Sequence, residues 1–337
     1  MGAYAVGLGI GTQDGQGRWL EVFFPQPRLA PTEALSACFA RLGNGNQLTA
    51  NDLNSLANEC ASAGDSITAA LARKLVESDR PAVAVYLAED SPPDSVPAAY
   101  LKLHLLSHRL VKPRETNLQG AFGVLPNVAW TNLGAIALDE LPQKQLDARM
   151  RGAILDVSCV DKFPKMSNYV VPTGVRIAHT ARVRLGAYVG EGTTVMHEGF
   201  INFNAGTVGP GMIEGRVSAG VIVDADSDLG GGCSTMGTLS GGGDIVISVG
   251  KNCLIGANAG LGIPLGDRCI IESGLYLTAG TKVAMLDAQG SAVETIAARK
   301  LQDVPDLLFR RNSETGTVEC LTNKSTAQLN AELHAHN

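Results

Sequence analysis

Residues 177–213 read IAHTARVRLGAYVGEGTTVMHEGFINFNAGTVGPGMI. Starting at Ile177, an aliphatic or β-branched residue recurs at every sixth position: Val183, Val189, Val195, Ile201, Thr207 and Ile213. Glycine, alanine, threonine and asparagine are frequent between these positions. A six-residue period is too long for strand alternation and too short for a domain, and it is typical of short strands wound into a parallel β-helix. The stretch therefore predicts a coil whose interior takes one such residue per strand.

The period continues beyond Ile213, with interruptions. The next repeat residue, Val217, comes four positions later, and the six-residue step then resumes at Val223 and Leu229. Residues 229–249 are too rich in glycine for a continuous strand, so we expect a loop or an extended insertion there. After this segment the repeat returns, shifts by four once more and ends through these positions: Val249, Ile255, Leu261, Leu265, Ile271, Leu277 and Val283.

With three strands per turn of the coil, residues eighteen apart should stack. Ile177, Val195 and Ile213 are then expected one above another at the interstrand spacing of about 4.8 Å. An antiparallel sandwich, with a strand every 8–12 residues, fits the spacing poorly. We therefore predict a mainly β protein with these parts: an N-terminal α/β domain over 1–112, a connecting segment over 113–174, a parallel β-helix over 175–285 and a small C-terminal β/α cap over 286–337.

The parts that flank the coil show ordinary strand and helix patterns. In the first part we expect strands Tyr4–Gly11 and Arg18–Phe24, helices Thr32–Leu42, Asp52–Ala61 and Asp65–Glu77, strand Ala82–Leu87 and helix Pro97–Leu110. The apolar face of the third helix is predicted to be Ile67, Ala70, Leu71 and Leu75. In the connecting segment we expect a connection that contains glycine and asparagine over Leu118–Leu138, a helix over Asp139–Arg151 and a strand over Ile154–Cys159. In the tail we expect strands Ala292–Ala297, Leu307–Arg311 and Val318–Leu321 and a closing helix Thr326–His336, which would cover the open edge of the coil.

Composition and charge limit the function classes. The 337 residues are 45% hydrophobic and carry a formal net charge of −6 without a run of lysine or arginine, which argues against general binding of nucleic acid or of an anionic membrane. No leader pattern and no stretch of 18 apolar residues is present, so we expect a cytoplasmic protein. The seven cysteines form no CxxC pair and are expected to be reduced and mostly buried.

Two acids of the coil, Glu198 and Glu214, lie in stretches that are otherwise made of small and apolar residues. Glu214 follows the first four-residue shift and precedes Arg216 by two positions. A carboxylate there could take a proton from an attacking amine or act as a nucleophile itself. For both acids, a solvated side chain at a corner of the coil is the alternative.

The glycine-rich residues 228–243 would let a ligand approach the backbone closely, because glycine has no Cβ. They form neither a P-loop nor a GxGxxG sequence that opens a helix. Cys233 within them is a second possible nucleophile, although no histidine is nearby in sequence to activate it.

Histidine pairs offer a metal alternative. His179 and His197 are eighteen apart and should stack, an arrangement similar to that of the γ-class carbonic anhydrases, but a catalytic zinc needs about three protein ligands. His104 and His108 are spaced i, i+4 on a predicted helix without the glutamate of an HExxH motif. Structural or solvated histidines are the alternative for both pairs.

Four stretches in this order resemble the tetrahydrodipicolinate N-succinyltransferases, in their longer form with an N-terminal α/β domain. They are Met196–Thr207 (MHEGFINFNAGT), Met212–Arg216 (MIEGR), Gly230–Gly243 (GGGCSTMGTLSGGG) and Leu308–Ser313 (LFRRNS). Residues 102–110, KLHLLSHRL, extend the similarity into the N-terminal domain.

This resemblance implies a left-handed parallel β-helix, a homotrimer, and transfer of succinyl from succinyl-CoA to the amino group of ring-opened tetrahydrodipicolinate, a step toward diaminopimelate and lysine. By the same resemblance, Glu214 matches the catalytic carboxylate and Glu198 matches a carboxylate that holds Mg²⁺ near the threefold axis. No acid around Ala181 matches the family's second magnesium carboxylate, and a lysine of the cofactor site is replaced within residues 295–298. The positions that match acyl-CoA-binding residues are Arg216, Gly231, Ser234, Ala257, Glu272, Ser273, Gly280, Arg310, Arg311, Asn312 and Ser313.

The residues are compatible with that chemistry. Backbone N–H groups of a glycine-rich turn can polarise a thioester carbonyl, and Arg216, Arg310 and Arg311 are cations that could hold CoA phosphates or acceptor carboxylates. Two other functions are the alternatives: another CoA-dependent acyltransferase with hexapeptide repeats, and a non-catalytic hexapeptide scaffold. We expect small-molecule substrates and no nucleic acid or membrane partner.

Overall fold

The computed structural model describes residues 2–237 and 245–322. The predicted helix Thr326–His336 and the second glycine triplet, residues 241–243, lie outside this range. The chain divides into two compact units. The first comprises Met1–Val111, Glu115–Pro164 and Asn168–Val170, and the second comprises Lys112–Arg114, Lys165–Ser167 and Val171–Asn337. Residues 115–164, most of the predicted connecting segment, thus cluster with the first unit, and the four-part division by sequence stays a prediction.

An antiparallel sheet covered by helices forms the main part of the first unit. Its strands are β1 (Ala5–Gln13), β2 (Trp19–Phe23), β3 (Arg28–Leu29), β4 (Gln47–Leu48) and β5 (Ala82–Leu87), in the order β2-β1-β5-β4 with β3 paired to β1. The helices are α1 (Glu33–Ala40), α2 (Ala50–Ser62), α3 (Ser66–Leu75) and α4 (Val96–Ser107). The predicted hairpin, the strand Ala82–Leu87 and the helices are all present.

Helix α2 begins earlier than predicted. The Thr49 side chain accepts from the Asp52 backbone N–H, and Asp52 accepts from the Thr49 backbone N–H in return. This capping box places Asp52 in the first turn rather than at the cap.

The buried face of α3 differs from the predicted face by a rotation of about one residue. Thr68, Ala69, Ala72 and Leu75 are buried, whereas Ile67 is 48% exposed. Helical spacing leaves two adjacent stripes with similar apolar content, so contact with the core decides between them. The small residues Ala69 and Ala72 belong to the core cluster that also contains residues of α2.

The predicted connection over Leu118–Leu138 contains regular elements that the sequence did not predict. This segment contains the short helix α5 (Ala121–Val124) and a hairpin of β6 (Val128–Thr131) and β7 (Gly134–Ala137), and β6 also pairs with β8 (Val157–Asp161). The Trp130 indole N–H donates to the Asp161 carbonyl and ties β6 to the end of β8. Helix α6 (Leu141–Met150) agrees with the predicted helix, and β8 begins three residues after the predicted strand.

The second unit contains the predicted parallel coil. Val195 pairs in parallel register with Ile177 on one side and Ile213 on the other, as the eighteen-residue stacking required. Fourteen of the sixteen predicted inward positions after Ile177 are at most 1% exposed, which confirms that the repeat marks the core. The other two, Thr207 and Leu265, are 2% exposed. The strands are β9 (Arg176–Ile177), β10 (Tyr188–Val189), β11 (Thr193–Val195), β12 (Phe200–Ile201), β13 (Gly206–Thr207), β14 (Gly211–Ile213), β15 (Arg216–Val217), β16 (Ile222–Val223), β17 (Asp228–Leu229), β18 (Ser234–Thr235), β19 (Ser248–Val249), β20 (Leu254–Ile255), β21 (Gly260–Gly262), β22 (Ile270–Ile271) and β23 (Tyr276–Thr278).

The glycine-rich interruption is shorter than the sequence suggested. Strand β18 lies within residues 229–249 and pairs with Arg216 of β15 and Gly260 of β21, so the coil continues for one more strand after Leu229. Thr235 takes the inward position and is 1% exposed. Its hydroxyl donates to the Arg216 carbonyl at 3.0 Å, so the buried polar group has a hydrogen-bond partner. The repeat of aliphatic residues did not predict this inward position because threonine is polar.

A small cap of four strands, paired in both antiparallel and parallel directions, closes the C-terminal end of the coil. Its strands are β24 (Lys282–Leu286), β25 (Ala292–Ala297), β26 (Leu307–Arg311) and β27 (Val318–Thr322). Phe309 of β26 pairs with Ile271 of β22, so the cap continues one face of the coil and covers its edge as expected. Within the described range, no helix has the length and apolar character that a membrane span requires.

Candidate active site

One corner of the coil changes length at Glu214. Between Ile213 of β14 and Arg216 of β15, the corner consists of Glu214 and Gly215 alone. The stacked corners before and after it have four residues each: 196–199, 230–233, 256–259 and 272–275. The missing pair of residues accounts for the four-residue shift in the sequence. It leaves a recess between corners 196–199 and 230–233, which we call the Glu214 recess.

The Glu214 side chain lies in this recess and is half-buried. Its backbone N–H donates to the Leu229 carbonyl at 2.8 Å, which fixes the start of the side chain against the next turn of the coil. A Cβ built at position 231 would lie 3.5 Å from Glu214 Oε2, so the carboxylate faces bare backbone. Within the part of the chain that the structure describes, no basic side chain lies close enough to form an ion pair with it.

Cys233 packs over Gly215 and closes the floor of the recess. A Cβ at position 215 would come within 2.3 Å of Cys233 Sγ, so only glycine fits. Cys233 is 1% exposed, and burial together with the nearby Glu214 charge raises the pKa of its thiol to about 12. A thiol this buried and this weakly acidic does not supply a thiolate, so Cys233 is a packing residue rather than a nucleophile.

A cleft of about 770 Å³ opens from the recess across the neighbouring face of the coil. Arg216 and Ser234, two of the predicted acyl-CoA residues, are register partners on this face. The volume falls within the range of small-molecule sites. The lining residues are Arg182, Arg184, Glu198, Phe200, Asn202, Glu214, Gly215, Arg216, Ser218, Gly232, Cys233, Ser234 and Tyr276.

A row of free backbone amides runs from the recess along the same corner. The N–H groups of Gly231, Ala257 and Ser273 have no hydrogen-bond partner within residues 2–237 and 245–322. By contrast, the carbonyls of Gly231 and Ala257 have partners: they accept from the N–H groups of Asn258 and Gly274 in the next turn. These three positions, which we call the amide row, follow one another at one turn of the coil each, about 4.8 Å apart.

Gly232 shows why the corner needs glycine. Its φ is +71°, a left-handed conformation, and a Cβ there would lie 2.4 Å from Asn258 Oδ1. The turn therefore brings bare backbone to the edge of the cleft.

The remaining predicted acyl-CoA residues lie farther along the coil and in the cap. The Glu272 carboxylate accepts from the Arg311 backbone N–H at 2.6 Å, which joins the amide row to β26. Arg310 and Asn312 both donate to Glu319, and Ser313 and Gly280 are exposed. The structure thus brings Glu214, Arg216, Gly231 and Ser234 together at one end and the Arg310–Ser313 segment at the other.

Glu198 is on the far side of the recess and is paired on both oxygens. Arg182 donates to Oε2 at 2.8 Å and His197 Nδ1 lies 2.8 Å from Oε1, and these two contacts, the histidine first, lower the pKa of the carboxyl. His179 and His197 stack as the spacing predicted, with ring centroids 5.2 Å apart. Among the described residues, no group of three or more His, Cys, Asp and Glu could hold a metal ion.

In the second histidine pair, His104 has a structural role. His104 is fully buried, its Nε2 accepts from the Phe24 backbone N–H, and its Nδ1 donates to the Tyr100 carbonyl. Burial lowers the pKa of His104 to about 3, so the ring is neutral and both nitrogens are engaged within the fold.

Several cleft residues were not singled out from the sequence. Arg184 donates to Asn202 Oδ1 at 3.0 Å and its guanidinium carbon lies 5.7 Å from the centroid of the Phe200 ring. Tyr276 is 55% exposed and its ring occupies the space that a side chain at Gly260 would take. Their positions in the repeat could have indicated them, because a residue next to an inward residue faces outward. Arg184 follows the inward residue Val183. Phe200 and Asn202 flank the inward residue Ile201.

Comparisons with known proteins agree with this architecture. Three family models match: "Tetrahydrodipicolinate N-succinyltransferase N-terminal" over residues 66–123, "Tetrahydrodipicolinate N-succinyltransferase middle" over 125–165 and "Hexapeptide repeat of succinyl-transferase" over 246–279. The 2,3,4,5-tetrahydropyridine-2,6-dicarboxylate N-succinyltransferase of Pseudomonas aeruginosa is 62% identical over 99% of this chain and 98% of its own length. The chain belongs to the tetrahydrodipicolinate N-succinyltransferase family.

Two further relatives of this family extend the match. The enzyme of the same name from Vibrio cholerae is 58% identical over the full length of both chains. A Campylobacter jejuni chain, named as a provisional 2,3,4,5-tetrahydropyridine-2-carboxylate N-succinyltransferase, has a crystal structure that superposes with a TM-score of 0.85 at 32% identity. The match covers 96% of this chain and 93% of that one. The fold is therefore a left-handed parallel β-helix with an N-terminal α/β domain and a small C-terminal cap.

Proposed function

We propose that this chain transfers the succinyl group of succinyl-CoA to the amino group of ring-opened tetrahydrodipicolinate. The products are the N-succinyl amino acid and free CoA, in the branch that leads to diaminopimelate and lysine. The observation that carries the proposal is the position of the Glu214 carboxylate, in a recess of the coil beside the backbone N–H groups of the amide row. Membership of the tetrahydrodipicolinate N-succinyltransferase family supports it.

The amide row suits the acyl donor. Free N–H groups can donate to the amide oxygens of the pantetheine arm and to the thioester carbonyl, and the Gly231 N–H is the member nearest Glu214. One such donor to a developing oxyanion typically contributes about 2.7–4 kcal/mol. At the other end of the row, Arg311 carries a positive charge that suits the CoA phosphates. Succinyl-CoA binding by Arg216, Gly231, Ser234, Ala257, Glu272, Ser273, Gly280 and the Arg310–Ser313 segment is thus part of the proposal.

In the transfer step, the amine nitrogen forms a bond to the thioester carbon and the carbon–sulfur bond breaks. The amine must lose one proton and the leaving thiolate must gain one. Glu214 is the carboxylate placed to accept that proton, directly or through a water molecule, and to return it to the thiolate. The same carboxylate could instead attack the thioester first and form a succinyl anhydride, which the amine then opens.

These two routes make different predictions in the absence of the acceptor. Rapid quenching of enzyme mixed with succinyl-CoA alone, followed by mass spectrometry of the intact chain, should show a succinyl adduct by the anhydride route. The Glu214→Gln variant is the control, since an adduct on that variant would lie elsewhere. No adduct on the wild type at any quench time would favour the general-base route.

A homotrimer is also part of the proposal, because a cleft on one face of a coil is shallow and a neighbouring copy would deepen it.

Magnesium at Glu198 does not fit the single chain, because both carboxylate oxygens are engaged and Mg²⁺ requires six oxygen ligands in octahedral geometry. It stays a prediction tied to the threefold axis. Light scattering in the presence and absence of a chelator tests the oligomer and the metal together. A cytoplasmic location is likewise proposed, as a biosynthetic role would require.

Thiol release tests the function directly. Wild-type enzyme with succinyl-CoA and tetrahydrodipicolinate should release CoA, whereas Glu214→Ala should not. Acetyl-CoA serves as the second donor. Turnover of acetyl-CoA without turnover of succinyl-CoA would indicate a different acyltransferase. Absence of CoA release from either donor by a folded, oligomeric wild type would disprove the proposal and would favour a scaffold.

A further inference from the structure

The first compact unit contains a cavity of its own, with a volume of about 630 Å³. Parts of four segments line it, within residues 14–20, 44–45, 95–97 and 124–139, and all of them belong to this unit. None of its lining residues lines the cleft beside Glu214. The volume falls within the range of small-molecule sites, so the unit has space for a ligand that the coil does not hold.

Apolar and aromatic groups make up much of the cavity lining. Leu20, Pro97 and Ala137 are buried and contribute apolar surface. Trp19 adds an aromatic ring in a fixed position, because its indole N–H donates to the Gly45 carbonyl at 2.9 Å. The Gly45 N–H donates in turn to a carbonyl of β5 at 3.1 Å. An indole held in this way offers a rigid surface to an apolar or aromatic ligand.

Polar contacts join two of the lining segments, the β1–β2 turn and the start of α6. The Gly15 backbone N–H donates to Glu140 Oε1 at 2.6 Å. Arg18 Nη2 lies 3.8 Å from Asp139 Oδ2, and both residues line the cavity. Because these segments are far apart in sequence and are linked directly, the cavity is a built feature of the fold.

The charges that line the cavity are mainly negative. The Asp14 carboxylate accepts from Arg18 Nε at 2.6 Å, and its side chain is only 2% exposed, so these two charges compensate each other. Within residues 2–237 and 245–322, the Asp139 carboxylate has no partner other than the long contact with Arg18. Two carboxylates and one guanidinium give the lining a formal charge of −1. The neighbouring Glu140 adds a further negative charge.

We propose that this cavity binds an organic cation, a primary amine carried on an apolar or aromatic body. The body packs against Trp19 and the buried apolar residues, and the ammonium group lies at the rim beside Asp139. The indole ring also attracts a cation. The proposal does not depend on the proposed function, since CoA and a dicarboxylate acceptor are anions and the charge of this cavity disfavours them.

Affinity and selectivity come from different groups in this site. The Asp139 side chain is 64% exposed, and ion pairs at such positions contribute little free energy. Burial of the apolar body therefore supplies most of the affinity, because it removes apolar surface from water. The carboxylate discriminates between an amine, a neutral group and an acid at the end of the same body.

Three fluorescent probes with the same aromatic body test this selectivity on the full chain. They are dansylcadaverine, which ends in an ammonium group, N-pentyl dansylamide, which is neutral, and N-dansyl-6-aminohexanoate, which ends in a carboxylate. Fluorescence anisotropy should show the tightest binding for the amine and the weakest for the carboxylate. Equal affinity for the amine and the neutral probe, or no binding of the amine, would overturn the proposal.

Substitution at the rim tests the position of the ammonium group. Asp139→Asn should weaken binding of dansylcadaverine by roughly three- to tenfold and leave binding of the neutral probe within about twofold. Asp156→Asn is the matched control, an exposed aspartate of the same unit outside the cavity, and should change neither affinity. Equal effects of the two substitutions on dansylcadaverine would contradict the assignment to Asp139.

Two further measurements locate the probe. Asn127 is an exposed lining residue, and Asn127→Phe should weaken binding of the amine and the neutral probe alike because the ring takes up space at the mouth. Saturating CoA should not displace dansylcadaverine. Displacement by CoA, or unchanged binding to Asn127→Phe, would place the probe elsewhere and disprove the inference. Thermal unfolding of each variant verifies that it is folded.

Discussion

The Glu214 carboxylate faces Gly231 across the gap between two turns of the coil, with Oε2 3.5 Å from the point where a side chain at position 231 would begin. The two residues are seventeen apart in sequence and are brought together because the corner at Glu214–Gly215 is two residues shorter than the corner that contains Gly231. An acid and a free backbone N–H therefore share one recess. The carboxylate can therefore accept the proton of the amine at the same place where the N–H polarises the thioester carbonyl.

Replacing Glu214 by glutamine should lower kcat by about 10²- to 10⁴-fold, since the amide cannot accept the proton of the amine. The amide has nearly the same size, so succinyl-CoA binding measured by calorimetry should persist. Glu191→Gln is the matched control, an exposed glutamate of the coil outside the cleft, and should keep full activity. Equal kcat in wild type and Glu214→Gln would exclude an essential role for the carboxylate.

Gly231→Ala should fold normally but lose activity. The nearest neighbour of the added Cβ would be Glu214 Oε2 at an ordinary contact distance, and the backbone of Gly231 is not left-handed. The methyl group fills the space in which the thioester must meet the carboxylate, so we expect kcat/KM to fall about tenfold or more, that is by about 1.4 kcal/mol or more in transition-state stabilisation. Gly123→Ala, at an open position, is the control. Unchanged kinetics of Gly231→Ala would show that the substrate does not pass this point.

Gly215→Ala should destabilise the coil itself. The added Cβ would meet Cys233 Sγ at 2.3 Å and the Cys233 carbonyl oxygen at 2.6 Å, and overpacking of this kind costs about 1–3 kcal/mol. Denaturant unfolding measures the loss. The double variant with Cys233→Ala should recover only part of the stability, because the carbonyl contact remains. Complete recovery would mean that the sulfur alone causes the strain.

Thiol reactivity should be confined to one cysteine in the native protein. Cys159 is exposed, whereas the other six cysteines are buried. Burial raises the pKa of Cys233, Cys253 and Cys320 to about 12, so their thiolates are scarce at pH 8. With a chromogenic disulfide reagent, we expect one fast-reacting thiol per chain, removed by Cys159→Ser. Cys233→Ala should keep kcat within a few-fold, and a loss comparable to that of Glu214→Gln would contradict a packing role.

The buried His104 should make the protein less stable in acid. Its pKa is about 3 in the folded chain and about 6.5 when exposed in the unfolded chain, so between these values the unfolded state binds a proton that the native state does not. Stability is therefore lost as pH falls from about 6.5 toward 3, by up to about 1.4 kcal/mol per pH unit. His104→Gln should be less stable at neutral pH, since it alters two buried hydrogen bonds.

The diagnostic measurement is the slope of unfolding free energy against pH. Between pH 4 and 6, this slope should be smaller in His104→Gln than in wild type by about 1.4 kcal/mol per pH unit, which corresponds to one proton. His108, whose pKa burial also lowers, keeps its own contribution in both proteins. Parallel curves would mean that His104 is not the group responsible.

Much of the coil could be read from the sequence because its determinants are local and periodic. Val195 and Ile213 each had to fill the interior of a turn of fixed length, and both are fully buried as predicted. The strand Ala82–Leu87 and the cap strand Ala292–Ala297 matched residue for residue for the same reason. Thr235 was not predicted because its inward side chain is polar, and its hydroxyl is satisfied by the Arg216 carbonyl and the Ser218 backbone N–H of the preceding turn.

Other features depended on contacts that the sequence does not specify. Helix α3 could bury either of two adjacent stripes, and contact with the core around α2 selected the one with Ala69 and Ala72. The hairpin β6–β7 was not predicted because its glycine and asparagine content suggested a loop. Its strand β6 is stabilised by pairing with β8, more than twenty residues away.

The sequence by itself determined the coil and the place where its period breaks, because the interior of each turn accepts one side chain of limited size and the chain must supply it at regular intervals. Only the tertiary structure decided what that break produces. Removal of two residues from one corner creates a recess only because the corners above and below keep their full length. In the same way, Arg184 Nη1 donates to Asn202 Oδ1 only because eighteen positions along the chain make one complete turn.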